Sequence, residues 1–183
     1  FIFSSDVVQF TYNQNLYDVK VVAYDETLEF RKTFTSEILT NTTDQKLKNA
    51  TWGYVLPSSV IGAGTKRAYI LGENGTNRMY VVGLAGNFSI NAFSLNTWEG
   101  LYYTFTVVNE YNVPTPDVKI TAMAFSNLFN SQVIVEQCIT DFSGSCTLFL
   151  KPFKLYTLFV EANGYPELSL PYIPSATTAV QIR

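Results

Sequence analysis

Apolar and polar residues alternate with a period of two along most of this 183-residue chain, and the 3.6-residue period of an amphipathic helix is almost absent. Such alternation places successive side chains on opposite faces of an extended backbone, so it points to strands with one buried and one wet face. The residue types agree. There are 14 Phe and 12 Tyr, and aromatic and β-branched side chains suit a pleated, half-buried surface. In the first half, strands are expected at 7–12, 17–24, 28–35, 51–56, 67–71, 78–84 and 87–95. Asp25-Glu26-Thr27 and Pro57-Ser58-Ser59 read as turns, and Asn74-Gly75 as the tip of a hairpin. The polar stretch 36–50 reads as a long loop with room for one helical turn. Asn96-Thr97-Trp98-Glu99-Gly100 marks a seam. Beyond it, strands at 101–110, 118–125, 132–140, 146–150, 156–162 and 178–182 form a second set. Short strands at turn-bounded spacing argue for a sandwich or barrel.

Charge excludes several functions. Asp, Glu, Lys and Arg make up 15% of the chain and the net charge is −3, against about 25% charged residues in ordinary soluble domains. The densest basic spots are Lys46 with Lys48 and Lys66 with Arg67. These cannot form the phosphate-neutralising stripe that nucleic acid requires, nor a polybasic membrane face. No apolar run reaches the ~18 residues of a spanning helix, so no membrane insertion of this segment is expected. Phe1-Ile2-Phe3 reads as the start of a strand or as the stub of a removed signal or anchor.

The inventory of reactive groups is short. The chain has no histidine, which removes imidazole bases and ligands. Two cysteines cannot close a four-cysteine zinc site. Gly62-Ala63-Gly64-Thr65-Lys66 lacks phosphate-loop spacing. Carboxylate pairs remain: Asp25, Glu26 and Glu29, or Glu136 and Asp141. Asp25 and Glu26 have a plainer reading as turn residues. No cofactor and no metal are expected, and no enzymatic activity.

Cys138 and Cys146 flank Thr140-Asp141-Phe142-Ser143-Gly144. Asp141 can cap a turn there and Gly144 can adopt positive φ. With the turn as a hairpin tip, the cysteines would face each other across the ladder, where opposed Cα atoms lie about 4.5 Å apart, close enough for a disulfide. Two buried free thiols are the alternative.

The hairpin belongs to a longer pattern. Val118-Lys119-Ile120 follows a Pro-containing turn. Thr140-Asp141-Phe142-Ser143-Gly144, Leu148-Phe149-Leu150-Lys151-Pro152, Tyr156-Thr157-Leu158-Phe159-Val160 and Asn163-Gly164-Tyr165 come after it. Over the last 80 or so residues this resembles the carboxypeptidase-regulatory-like, or transthyretin-like, β-sandwich superfamily. The resemblance implies an accessory module of the kind found in secreted enzymes, surface proteins and filament components. Related surface domains form Lys–Asn isopeptide bonds from a Lys on the first strand; 101–110 has none, and Glu161 alone does not carry that chemistry. The expected fold is therefore all-β and mostly antiparallel, with two β-sandwich domains of immunoglobulin-like or transthyretin-like type: 1–100, of no assigned family, and 101–183.

Four sequons, at Asn41, Asn49, Asn74 and Asn87, are glycosylation candidates. The low charge and the cysteine pair suggest an extracellular or cell-surface location. Phe1, Ile2, Phe3, Val8 and Phe10 make an apolar N-terminal segment that either pairs within its own domain or completes a neighbouring subunit's sheet. The leading reading is a non-catalytic structural subunit of an extracellular assembly: a pilus-like filament, surface layer or virion surface, built by β-strand addition. Its partners would be copies of itself or other surface proteins. The alternative is a secreted carbohydrate-binding or adhesion module, with glycans as partners and Trp52 or Trp98 exposed beside amide side chains. A carboxylate-based hydrolase, with two carboxylates converging in a deep cleft, comes third.

Overall fold

The structure is a computed structural model. It describes residues 2–3, 7–12, 15–27, 31–32, 34–35, 37–39, 44–48, 52–55, 65–71, 77–83 and 88–183, with side chains at 24–27, 78–81 and 91–183. The described elements are all strands, and no helix among them is long and apolar enough to cross a membrane. The chain divides into two compact units, Phe1–Ser94 and Leu95–Arg183.

The first unit contains β1 (Ile2–Phe3), β2 (Val7–Tyr12), β3 (Asn15–Asp25), β4 (Arg31–Lys32), β5 (Phe34–Thr35), β6 (Glu37–Leu39), β7 (Asp44–Lys48), β8 (Trp52–Val55), β9 (Thr65–Leu71), β10 (Asn77–Gly83) and β11 (Phe88–Ser94). One sheet runs β10-β9-β8-β7-β6, a second runs β11-β3-β2 with β4 on β3, and β1 pairs β5. Two features of 36–50 correct the sequence reading: β6 and β7 pair as antiparallel strands there, and there is no helical turn among the described residues of that stretch. Glu37-Ile38-Leu39 and Lys46-Leu47-Lys48 are too short and too polar to show a period, and cross-strand pairing decided them.

β11 pairs with β3 in parallel and forms the edge of its sheet. In a parallel ladder alternate residues turn both backbone groups away from the partner. Phe93 is such a residue. Its N–H donates to the Tyr80 hydroxyl at 2.9 Å, and its carbonyl accepts from Arg78 Nη1 at 2.8 Å. Arg78 also meets Glu26 at 2.5 Å, and both side chains are buried. Side chains of β10 thus take up groups on β11 that no described strand pairs.

The second unit contains β12 (Leu101–Val107), β13 (Lys119–Ser126), β14 (Ser131–Ile139), β15 (Ser145–Leu150), β16 (Tyr156–Glu161), β17 (Leu168–Tyr172) and β18 (Ala179–Ile182). A three-stranded sheet runs β15-β12-β18 and a four-stranded sheet runs β14-β13-β16-β17. β18 lies parallel to β12 and the remaining pairs are antiparallel. Alternation is followed closely: Tyr103, Phe105 and Val107 on β12, Ile120, Ala122 and Ala124 on β13, and Tyr156, Leu158 and Val160 on β16 are all buried. The two sheets share that core, since Tyr172 of β17 sets its ring edge-on to Tyr103 and Phe105 of β12 at 6.3 and 5.5 Å. β17 was not expected from sequence. Pro171 argues against a strand, and it is accommodated because β17 is an edge.

The Thr140–Gly144 stretch fastens one end of this unit. Thr140 Oγ1 accepts from the Val118 N–H and donates to the Thr115 carbonyl, both at 2.8 Å. Asp141 Oδ1 accepts from Ser143 N–H, Ser143 Oγ and Ser145 N–H. Gly144 has φ +74°, and its carbonyl receives the Val107 N–H at 2.8 Å. A Cβ at Gly144 would lie 2.7 Å from the Val107 carbonyl oxygen, whereas one at Gly164 (φ +83°) would meet nothing within 4 Å. Both positions disfavour a side chain through φ, by about 1 kcal/mol, but only Gly144 adds a backbone clash. Gly144→Ala is therefore expected to destabilise the second unit by at least about 2 kcal/mol and Gly164→Ala by about 1 kcal/mol. Urea unfolding of the two variants measures the difference, and equal losses would contradict it.

Candidate functional site

The disulfide is formed: Cys138 and Cys146 are joined, with Cα atoms 5.8 Å apart. Its setting differs from the ladder expected from sequence. Cys138 lies on β14, paired to Ile120 of β13, and Cys146 lies on β15, paired to Phe105 of β12. β14 and β15 belong to different sheets, so the bridge ties two sheet edges together. The turn between the cysteines carries the chain from one sheet to the other and is not the tip of a two-stranded ladder.

Glu136 crosses the same gap. A register shift between Ala122 and Met123 on β13 falls opposite Val135, and it turns both Val135 and Glu136 inward. A bulge does this by placing two residues of one strand against one of its partner. Glu136 is 5% exposed, and its Oε1 accepts from the N–H of Phe149 on the edge strand β15 at 2.8 Å. Tyr156 of β16 acts similarly, its hydroxyl accepting from the Lys151 N–H at 3.0 Å.

These placements explain the carboxylates singled out from sequence. Asp25 accepts from the Thr27 N–H within its turn, and Glu26 pairs with Arg78. Glu136 caps β15, and Asp141 holds its own loop. Glu29 lies outside the described residues. Neither Glu136 with Asp141 nor Asp25 with Glu26 lines the cavity described next. Among the described residues, no group of three or more Cys, Asp or Glu side chains is placed to hold a metal ion.

A cavity of about 470 Å³ opens in the second unit where β12 and β18 run out beside the β16–β17 turn. Its walls are aliphatic: Val107, Val108, Val118, Val160 and Ile182 are buried, and Leu168 stands at the lip. Glu110, Tyr111, Tyr165, Glu167 and Arg183 line it from exposed positions. Sequence reasoning missed this site, because its residues come from four separated segments. A hint lay in the valines of adjacent strands converging near the polar turns at 109–112 and 163–167.

Of the two tryptophans, Trp98 is 73% exposed, two residues from Asn96. The backbone of Trp52 lies in β8, and its side chain is outside the described residues. Asn41, Asn49, Asn74, Asn87 and Phe1 also lie outside them. Ile2 and Phe3 pair with Thr35 and Phe34 of the same chain, and Val8 and Phe10 with Val19 and Tyr17. No protein-family model matches the chain, and no curated protein matches it.

Two measurements check this account. Glu136→Ala should destabilise the second unit by about 2–3 kcal/mol by stranding the buried Phe149 N–H, while Glu136→Gln, which keeps an acceptor, should lose less than about 1 kcal/mol. Denaturant midpoints of the pair decide it. The Asp141 carboxyl is held below its usual 3.8 chiefly by the Ser143 hydroxyl and then by the Ser145 N–H. Because its folded value is depressed, its contribution is present at neutral pH and disappears as pH falls through that lowered value. NMR titration should place its midpoint below 3.8, and Ser143→Ala should move it upward.

Proposed function

We propose that the chain is a non-catalytic structural subunit of an extracellular assembly, with its second unit a transthyretin-like β-sandwich that meets other subunits through exposed apolar side chains. Phe153 carries this reading. It sits at φ +64° in the turn after Pro152 and is 79% exposed, while its N–H is bound to the Pro174 carbonyl at 2.8 Å. At the residue after proline in such a turn, glycine is the low-strain choice. A bulky residue at positive φ, pointing into solvent, is strained without any gain from burial within its own chain. Leu155 and Ile173, both more than half exposed, lie next in sequence to this turn and to Pro174. A surface that gathers apolar side chains at a strained turn suits contact with another protein.

Edge strands supply the second element of the proposal. β15 and β18 bound the three-stranded sheet, and β14 and β17 bound the four-stranded one. Strand addition at such an edge satisfies backbone groups and covers apolar surface at once. β2 pairs within its own chain, so the reading places strand addition at the edges of the second unit. Secretion agrees with the disulfide, which oxidising compartments favour. The carbohydrate-binding reading has one observation in its favour: the Trp98 ring is exposed, as stacking on a sugar would require.

Phe153→Gly separates folding from assembly. It should leave stability unchanged or raise it by up to about 1 kcal/mol, while shifting the protein toward monomer in multi-angle light scattering. Wild-type protein that remains a monodisperse monomer at every concentration tested would overturn the assembly reading.

A further inference from the structure

The cavity of the second unit has a chemistry of its own. Val107, Val118, Val160 and Ile182 are each at most 8% exposed and line its interior. None brings a side-chain polar atom, so an included molecule gains apolar burial and dispersion there. A volume of about 470 Å³ lies within the roughly 300–1,000 Å³ of small-molecule sites. All the lining charge sits at exposed positions. Glu110 and Glu167 supply two carboxylates. Arg183 is the only cation among the lining residues, and its guanidinium donates to Asn112 Oδ1, on a residue that does not line the cavity. Tyr111 and Tyr165, 78% and 63% exposed, stand at the same mouth. Their ring faces attract cations and repel anions.

We propose that this cavity binds a small amphiphilic cation, with its hydrocarbon chain in the aliphatic interior and its ammonium head at the mouth beside Glu110 and Glu167. The aliphatic wall accounts for the chain. The charge of the mouth selects the head: two carboxylates outnumber the one guanidinium, which keeps its charge while bonded to Asn112, so an anionic head meets net repulsion and a neutral head keeps the burial but loses the attraction. The site takes side chains from the edge strands β17 and β18 but makes no use of Phe153 or of edge backbone groups, so binding of a small molecule is tested separately from assembly.

Three probes with the same chain length test it: octylammonium, octanol and octanoate, titrated into the whole chain while the methyl resonances of Val107, Val160 and Ile182 are followed by NMR. Octylammonium should bind saturably and about three- to tenfold more tightly than octanol, since two exposed carboxylates each contribute modestly. Octanoate should be weakest. Half-molar salt should narrow the spread by screening the mouth. In the double variant Glu110→Gln/Glu167→Gln, octylammonium should fall to the affinity of octanol. Leu168→Trp, at the half-open lip, should abolish binding of all three, with the amide shifts of Leu148, Phe149 and Leu150, which do not line the cavity, reporting that the unit remains folded. If none of the probes moves those methyl groups saturably, or if octanoate binds as tightly as octylammonium, the proposal fails. The charge variant decides the matter even if the tryptophan variant does not fold.

Discussion

A strand at the border of a buried sheet carries N–H and C=O groups that no neighbouring strand takes up, and an unpaired buried group of this kind costs about 1–3 kcal/mol. Both units of this protein meet the requirement with side chains from a different sheet. In the first, Tyr80 and Arg78 of β10 take the N–H and carbonyl of Phe93 on β11. In the second, Glu136 of β14 takes the N–H of Phe149 on β15, and Tyr156 of β16 that of Lys151. The buried charges follow from this. Arg78 is buried because a carbonyl needs it, and Glu26 accompanies it because an unpaired buried guanidinium would be far more costly.

The same constraint shapes the architecture around the cysteines. The bulge at Val135 lets Glu136 turn inward toward β15, and two residues later Cys138 reaches Cys146 on that strand. Carboxylate and disulfide therefore hold the same pair of edges. Thr140, Asp141 and Gly144 then bind the crossing between sheets to the segment that leads into β13. A hydroxyl that accepts and donates, a carboxylate facing three donors and a residue free to take positive φ are three different requirements. Together they explain why a Thr-Asp-x-x-Gly sequence occurs at this corner.

Strain lies away from that clamp, whereas the cavity lies beside it, since Val107, Thr115 and Val118 line the cavity and also bond to the clamp. Phe153 stands in the turn that follows β15, whereas the Asp141–Gly144 turn precedes it. The aliphatic cavity forms where β18, only four residues long, ends at Ile182 and Leu168 of β17 is left half exposed. The proposed contact at Phe153 and the proposed ligand site thus arise from separate features of one small unit.

By itself the sequence determined the strand character of the described residues, most of their strand positions, a turn at Thr140–Gly144 and two cysteines near enough to pair. Each depends on local chemistry: a two-residue period, turn residues at fixed offsets, and two thiols eight positions apart. Tertiary structure decided the rest. Whether Cys138 and Cys146 face each other across a ladder or between sheets depends on what β14 and β15 pair with: β14 pairs with the preceding strand β13, and β15 with the distant β12. The short strands β6 and β7 and the proline-bearing β17 exist only because neighbours supply their hydrogen bonds. Glu26, Arg78 and Glu136 look like ordinary surface charges in sequence, and they became interior groups because the folded chain sets Arg78 and Glu136 against edge backbone groups and Glu26 against Arg78.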